Sequence, residues 1–208
     1  AIMLVSPAMA HASNEAAEYW FNPSVSLRLD DDTWMRLETA QRFRSEADGR
    51  PDTYFAHFWL NQAVSRNVTL SGALERRIND GASNETRSIQ QLSTRHGLLR
   101  TRLRFEQRFV DNADNIGLRV RPRLGVAVPL SQDRPLQFRS DAELFVTLRS
   151  TSDGGDTGLT GLRTQIGMAY EINPRLTLSA AYLRQQDFRA SGRDTIGHAP
   201  VIGIDFSL

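Results

Sequence analysis

The 208-residue chain contains no cysteine and no lysine, and all 25 of its basic residues are arginine. Without cysteine there is neither a disulfide framework nor a thiolate metal site. No run of 18 apolar residues occurs, which excludes a transmembrane helix. A formal net charge of +1 provides no global attraction to nucleic acid, and no nucleic-acid partner is expected. These absences leave a soluble globular domain or a membrane β-barrel. Three features of what is present favour the barrel.

The first is the N-terminus, AIMLVSPAMAHA. An apolar stretch, Ala1 to Val5, runs into two A-x-A patterns, Ala8-Met9-Ala10 and Ala10-His11-Ala12. Such a pattern reads as the tail of a secretory signal with its cleavage site after Ala10 or Ala12. The expected organisation is therefore a residual signal peptide over 1–12 and a single domain over 13–208.

The second is a period of two along most of the chain, the mark of strands with two chemically different faces. In 98–110, Leu99, Thr101, Leu103, Phe105 and Phe109 alternate with Arg100, Arg102, Arg104, Glu106 and Arg108. In 115–128, Leu118, Val120, Leu124 and Val126 alternate with Arg119, Arg121 and Arg123. In 136–149, Leu136, Phe138, Leu144 and Val146 alternate with Arg139, Asp141 and Glu143. Eleven such segments can be marked: 18–29, 33–45, 53–64, 68–78, 86–95, 98–110, 115–128, 136–149, 159–172, 175–187 and 197–208. Bacterial single-chain barrels have even strand numbers, so the expected count is ten to twelve. Several segments exceed the roughly 5–6 residues of globular strands and suit a tilted membrane strand, which needs about 9–11. Short connections at 30–32, 65–67, 96–97 and 173–174 interleave with longer polar ones at 45–52, 79–86, 149–158 and 187–196, as in outer-membrane barrels. The connections at 111–114 and 129–135 depart from that rule.

The third feature is the polar face. In a soluble sandwich it meets water, whereas in a membrane barrel it lines the lumen. Here it is rich in arginine and carboxylate. Pairing 98–110 with 115–128 around Asn112-Ala113 sets Glu106 opposite Arg119 and Arg104 opposite Arg121. Pairing 115–128 with 136–149 around Ser131 to Asp133 sets Arg123 opposite Asp141 and Arg121 opposite Glu143. Arg104, Arg121 and Glu143 then form a row across three strands, and the lumen is crossed by salt bridges. Eight arginines (Arg100, Arg102, Arg104, Arg108, Arg119, Arg121, Arg123, Arg139) stand against three acids (Glu106, Asp141, Glu143) on these segments. That excess suits small anionic solutes. On the other face, Tyr19, Phe21, Phe43, Tyr54, Phe109, Tyr170, Tyr182 and Phe206 lie toward strand ends, as interfacial aromatics do.

Three stretches carry a family likeness. Tyr19-Trp20-Phe21 leads through a strand and tight turn to Arg36-Leu37-Glu38 and Gln41-Arg42-Phe43. Arg102-Leu103-Arg104-Phe105-Glu106-Gln107-Arg108-Phe109 precedes an arginine-rich strand, Leu118 to Leu124. The chain closes in Ile204-Asp205-Phe206-Ser207-Leu208. Over 18–208 the chain resembles bacterial outer-membrane β-barrels, in particular a family carried only as a domain of unknown function. The resemblance implies an all-β, antiparallel, up-and-down transmembrane barrel in the outer membrane, with lipid and the barrel-assembly machinery as partners and no assigned activity.

Motifs that carry chemistry are few. There is no phosphate-cradling glycine loop, nucleophile elbow or metal-ligand spacing, so no cofactor or metal is expected. His198 has Ser191 and Asp194 nearby in sequence, the residue types of a lipid-modifying enzyme, and this is an alternative to a non-enzymatic barrel. A secreted soluble ligand-binding barrel is another. His57 falls on the polar face with Phe55, Trp59 and Asn61 and reads as an interior histidine. Asp153-Gly154-Gly155-Asp156 and Asp30-Asp31-Asp32 read as polar loop and turn.

Overall fold

The computed structural model describes residues 14–44, 52–131 and 135–208. The expected signal segment 1–12, the loop over 45–51 and residues 132–133 of the turn proposed at Ser131 to Asp133 lie outside them. The described residues form eleven strands: β1 (Asn14–Arg28), β2 (Thr33–Arg44), β3 (Thr53–Ser65), β4 (Val68–Asn79), β5 (Glu85–His96), β6 (Leu99–Val110), β7 (Gly117–Pro129), β8 (Leu136–Arg149), β9 (Gly158–Asn173), β10 (Leu176–Asp187) and β11 (Thr195–Ser207). All eleven alternating segments are strands, with ends shifted by up to four residues. The segment over 86–95, the least regular in its alternation, is β5.

Each strand pairs antiparallel with its sequence neighbour, and β1 closes on β11 to complete the barrel. An odd number of strands makes the closing pair run the same way, and β1 and β11 are parallel from Asn14↔Thr195 to Ser26↔Ser207. The even count usual for bacterial barrels does not hold here. Consequently β1 starts at the end of the barrel that carries the wider connections, and β11 finishes at the opposite end.

That opposite end has two-residue turns at 66–67, 97–98 and 174–175. Gly97, at φ 56, takes the left-handed conformation that a two-residue hairpin turn demands. At the 29–32 turn, the backbone N–H groups of Asp32 and Thr33 donate to Asp30 Oδ1 at 2.9 and 2.7 Å. These bonds hold its carboxyl below the usual carboxylate value. The two exceptional connections, 111–116 and 130–135, have equal length.

Polarity is inverted relative to a soluble core. Leu74 is 63% exposed while its neighbour Glu75 is 2% exposed, and Leu144 is 39% exposed while Glu143 is 1% exposed. Phe105, Leu118, Val120 and Val146 also lie on the outer face, half-buried against same-face neighbours. Tyr19, Phe43 and Tyr54 form an aromatic arc across β1, β2 and β3, with ring centroids 6.1 and 6.3 Å apart. Inside, Arg104, Arg121 and Glu143 are buried and Asp141 is half-buried.

The β6–β7 register sets Glu106 opposite Arg119 and Arg104 opposite Arg121, as the hairpin reading requires. The β7–β8 register differs from the expected one by two residues. Arg123 lies opposite Glu143, and Gly125 opposite Asp141. The expected pairs Arg123–Asp141 and Arg121–Glu143 are therefore diagonal neighbours rather than direct ones. Leu130 N donates to Leu136 O at 2.9 Å, which centres the hairpin one residue later than the expected pairing. A slip of two leaves every side chain on its original face.

Candidate functional site

The lumen is built from two unlike walls. β5 to β8 send long arginines inward. β9 to β11 present small residues there, including Gly167, Ala169, Ala199 and Gly203. A Cβ added at Gly167 would come within 2.4 Å of Ala180 O, and one at Gly203 within 2.4 Å of Ser179 Oγ. The small wall leaves room for the arginines of the opposite one.

At mid-height the carboxylate of Glu106, on β6, is fully enclosed, at 0% exposure. Arg119 donates to its Oε2 through Nε at 3.0 Å and Nη2 at 2.7 Å, and Arg121 donates to Oε1 at 2.6 Å. Arg87 and Arg104 approach to 3.8 and 3.9 Å. Arg121 also donates to Glu143 Oε2 at 2.6 Å, so one guanidinium joins acids on β6 and β8. Glu143 further accepts from Arg102 and has Arg163 at 3.7 Å. Arg123 pairs with Asp141. Arginine reaches these diagonal partners because its length spans the offset between neighbouring strands.

Of the arginines singled out in the sequence, Arg102, Arg104, Arg119, Arg121 and Arg123 thus join Glu106, Glu143 and Asp141. Arg104 also donates to Gln91 Oε1 at 2.8 and 3.1 Å. Arg108 pairs instead with Glu85 on β5 at 2.5 Å. Arg100 and Arg139 sit toward the tight-turn end and, among the described residues, form no ion pair with a carboxylate. Arg100 donates to the carbonyls of Gly97 and Leu99 at 2.5 and 2.9 Å, and Arg139 to Gln137 Oε1 at 2.7 Å. The network is therefore narrower in that direction than the arginine count suggests.

In the other direction it extends further. Glu85 accepts two bonds from Arg87 at 2.8 and 2.6 Å. Glu75 holds Arg77 at 3.1 Å and Arg87 at 3.5 Å and faces His57 Nε2. Glu18 accepts from Arg44 at 3.0 Å and from Trp20 Nε1 at 2.7 Å. Four inward aromatics, Trp20, Phe55, Trp59 and Phe145, pack against guanidinium planes. The closest contact is Arg42 over Trp20 at 3.8 Å, and Arg121 lies 4.6 Å from Phe145. Parity of the alternation places Trp20, Arg77, Arg87, Phe145 and Arg163 on this face, but reading the arginine-dense middle alone misses their role.

In the enzyme alternative, His198 and Asp194 take separate partners. His198 points outward, and its Nδ1 bonds the hydroxyl of the outward Tyr182 at 2.5 Å. Asp194 instead accepts from Gln186 Nε2 at 2.8 Å and Arg189 N at 3.2 Å. In the 150–157 loop, Asp153 accepts from Asn115 Nδ2 at 2.8 Å, and Asp156 from Ala190 N at 3.3 Å. Among the described residues, no group of three or more histidine or acidic side chains is placed to hold a metal ion.

The lumen can thus fix charge in a rigid, ion-paired array, and its wall has more arginine than acid. A comparison with known proteins adds a relative in Methylorubrum extorquens, an uncharacterized protein 32% identical over 112 residues, which make up 51% of this chain and 49% of the relative. The chain accordingly spans about half the length of that relative. Residues 17–196, which run from β1 into β11, match the family described as "Protein of unknown function (DUF2490)", and the chain belongs to that family.

Proposed function

We propose that the protein is a non-enzymatic barrel of the bacterial outer membrane, with a basic lumen closed at mid-height by salt bridges. The observation that carries this reading is the inverted polarity: apolar side chains cover the outside while Glu75, Glu106 and Glu143 are enclosed within. Lipid surrounds the outer face, and the barrel-assembly machinery inserts the chain. The secretory pattern at the N-terminus and the length of the strands support the same location. The experiment is extraction of cell envelopes followed by gel electrophoresis. The protein should require detergent for release and should migrate differently before and after boiling. Release by salt or carbonate alone would instead identify a soluble barrel.

The lumen leaves at most a narrow path, because the arginines from β6 and β7 cross it and are held by Glu106 and Glu143. Planar-bilayer recording should therefore show low or no conductance. Any current should favour anions, since fixed charge on a pore wall sets ion preference. The preference should weaken at 1 M salt, where the screening length is about 3 Å. Large cation-selective steps would contradict the role assigned to these arginines.

A further inference from the structure

Between the mid-height network and the wider connections lies a chamber of about 300 Å³. Seven arginines line it against two acids, Glu85 and Asp187. Glu85 is already held by Arg87 and Arg108, and Asp187 accepts from Gln185 Nε2 at 2.8 Å. Arg119 and Arg121 are held by Glu106, so Arg42, Arg77 and Arg163 are the lining arginines paired with neither Glu85 nor Glu106.

Arg42 is the clearest case. It is 7% exposed, and its buried Nε has no hydrogen-bond partner among the described residues. Its charged neighbours are Arg77, Arg163 and Arg44, with Glu18 the nearby acid. Glu18 already serves Arg44 and Trp20. An enclosed charge without a counter-charge is strongly unfavourable. Yet the surroundings fix this one in place, because its guanidinium lies 3.8 Å from the Trp20 ring centroid and 4.9 Å from that of Phe55. Arg77 lies 5.0 Å from the Phe55 ring, and Arg163 lies 5.0 and 5.1 Å from Trp20 and Phe145. Aromatic faces thus hold three guanidinium plates from β2, β4 and β9 around one space; Arg77 also bonds Glu75 at 3.1 Å and Arg163 bonds Gln185 Oε1 at 2.5 and 3.0 Å, while Arg42 Nε has no partner among the described residues.

We propose that this chamber binds a small multivalent oxyanion of the phosphate class, with Arg42, Arg77 and Arg163 as its ligands. Arginine forks match phosphate oxygens in bidentate fashion. A planar carboxylate has oxygens in one plane only, whereas a tetrahedral phosphate presents them to forks arriving from three strands. A compact polyanion also supplies the most counter-charge per unit volume, which a small, strongly basic space requires. The inference rests on the interior charge and holds whether or not the barrel resides in a membrane.

The test uses the full chain folded in detergent, with inorganic pyrophosphate as probe and sodium chloride of equal ionic strength as control. Pyrophosphate should raise the thermal midpoint saturably, as a ligand specific to the native state does, and calorimetry should give one site per chain. Arg42→Met places an apolar chain between Trp20 and Phe55. It should leave the ligand-free midpoint equal or higher and should abolish the pyrophosphate response. Arg139→Met, near the other mouth, should retain that response. A short-chain phosphatidic acid that displaces pyrophosphate would assign the site to a lipid headgroup, and one that does not would assign it to a free anion; either result retains the phosphate chemistry. The proposal is overturned by the absence of saturable binding, by a response to citrate but not pyrophosphate, or by a response that survives in Arg42→Met. A clear drop in the ligand-free midpoint of Arg42→Met would overturn it too, making Arg42 a structural brace. Detergent extraction tests the membrane reading separately.

Discussion

Glu106→Ala should lower the stability of the detergent-folded barrel by about 3–5 kcal/mol, the scale of breaking an enclosed ion pair by removing one partner. The magnitude follows from geometry. Glu106 is the acceptor for Arg119 and Arg121 and has Arg87 and Arg104 within 4.0 Å. Its loss leaves four guanidinium groups repelling one another in a space that water does not reach freely. Urea titration, read by the shift between folded and unfolded gel mobility, would measure the effect. Glu143→Ala should be destabilising as well, because it removes the acceptor of Arg102 and Arg121. The two substitutions share Arg121, so the double variant should deviate from the sum of the single ones. An unchanged midpoint in Glu106→Ala would show that these arginines are solvated individually.

Val120→Arg probes the opposite face and should impair insertion, at about 2–4 kcal/mol for an arginine on the lipid face near mid-membrane. Val120 lies on β7 with Phe105 opposite on β6 and Val146 opposite on β8. The three form an apolar band continuous across three strands. In refolding into lipid vesicles, the folded yield of the variant should fall well below that of the unaltered chain. On a water-facing surface the same substitution would be nearly neutral. An unchanged yield would therefore count against a lipid-covered band. Glu106→Ala removes a charge from the inside and Val120→Arg adds one outside, and a membrane barrel is the arrangement in which both are harmful.

Much of the fold is legible in the sequence because the alternation of faces is a local property. Successive side chains of a strand point to opposite sides whatever the partner. Hence Leu103 and Arg104, or Leu144 and Glu143, are assigned to opposite surfaces by position alone, and the short polar breaks mark the strand ends. The β6–β7 register follows as well, since its pairing is centred on the polar break at Asn112-Ala113. The charged middle of the lumen is visible for the same reason.

Non-local relations are decided only in the closed barrel. No property of β1 or β11 taken singly announces that eleven strands close through a parallel seam, because closure depends on all of them together. The β7–β8 slip of two residues is equally silent in the alternation, which is unchanged by an even shift. Partner choice among the arginines is the third such relation. Arginine is long enough to reach across a strand diagonal or onto an aromatic ring, so Arg108 selects Glu85, Arg121 bridges Glu106 and Glu143, and Arg42 rests on the Trp20 ring. The amino-acid sequence by itself determines which side chains face the lumen, whereas the tertiary structure decides which of those charges meet, because their meeting depends on register, closure and the small residues of the facing wall.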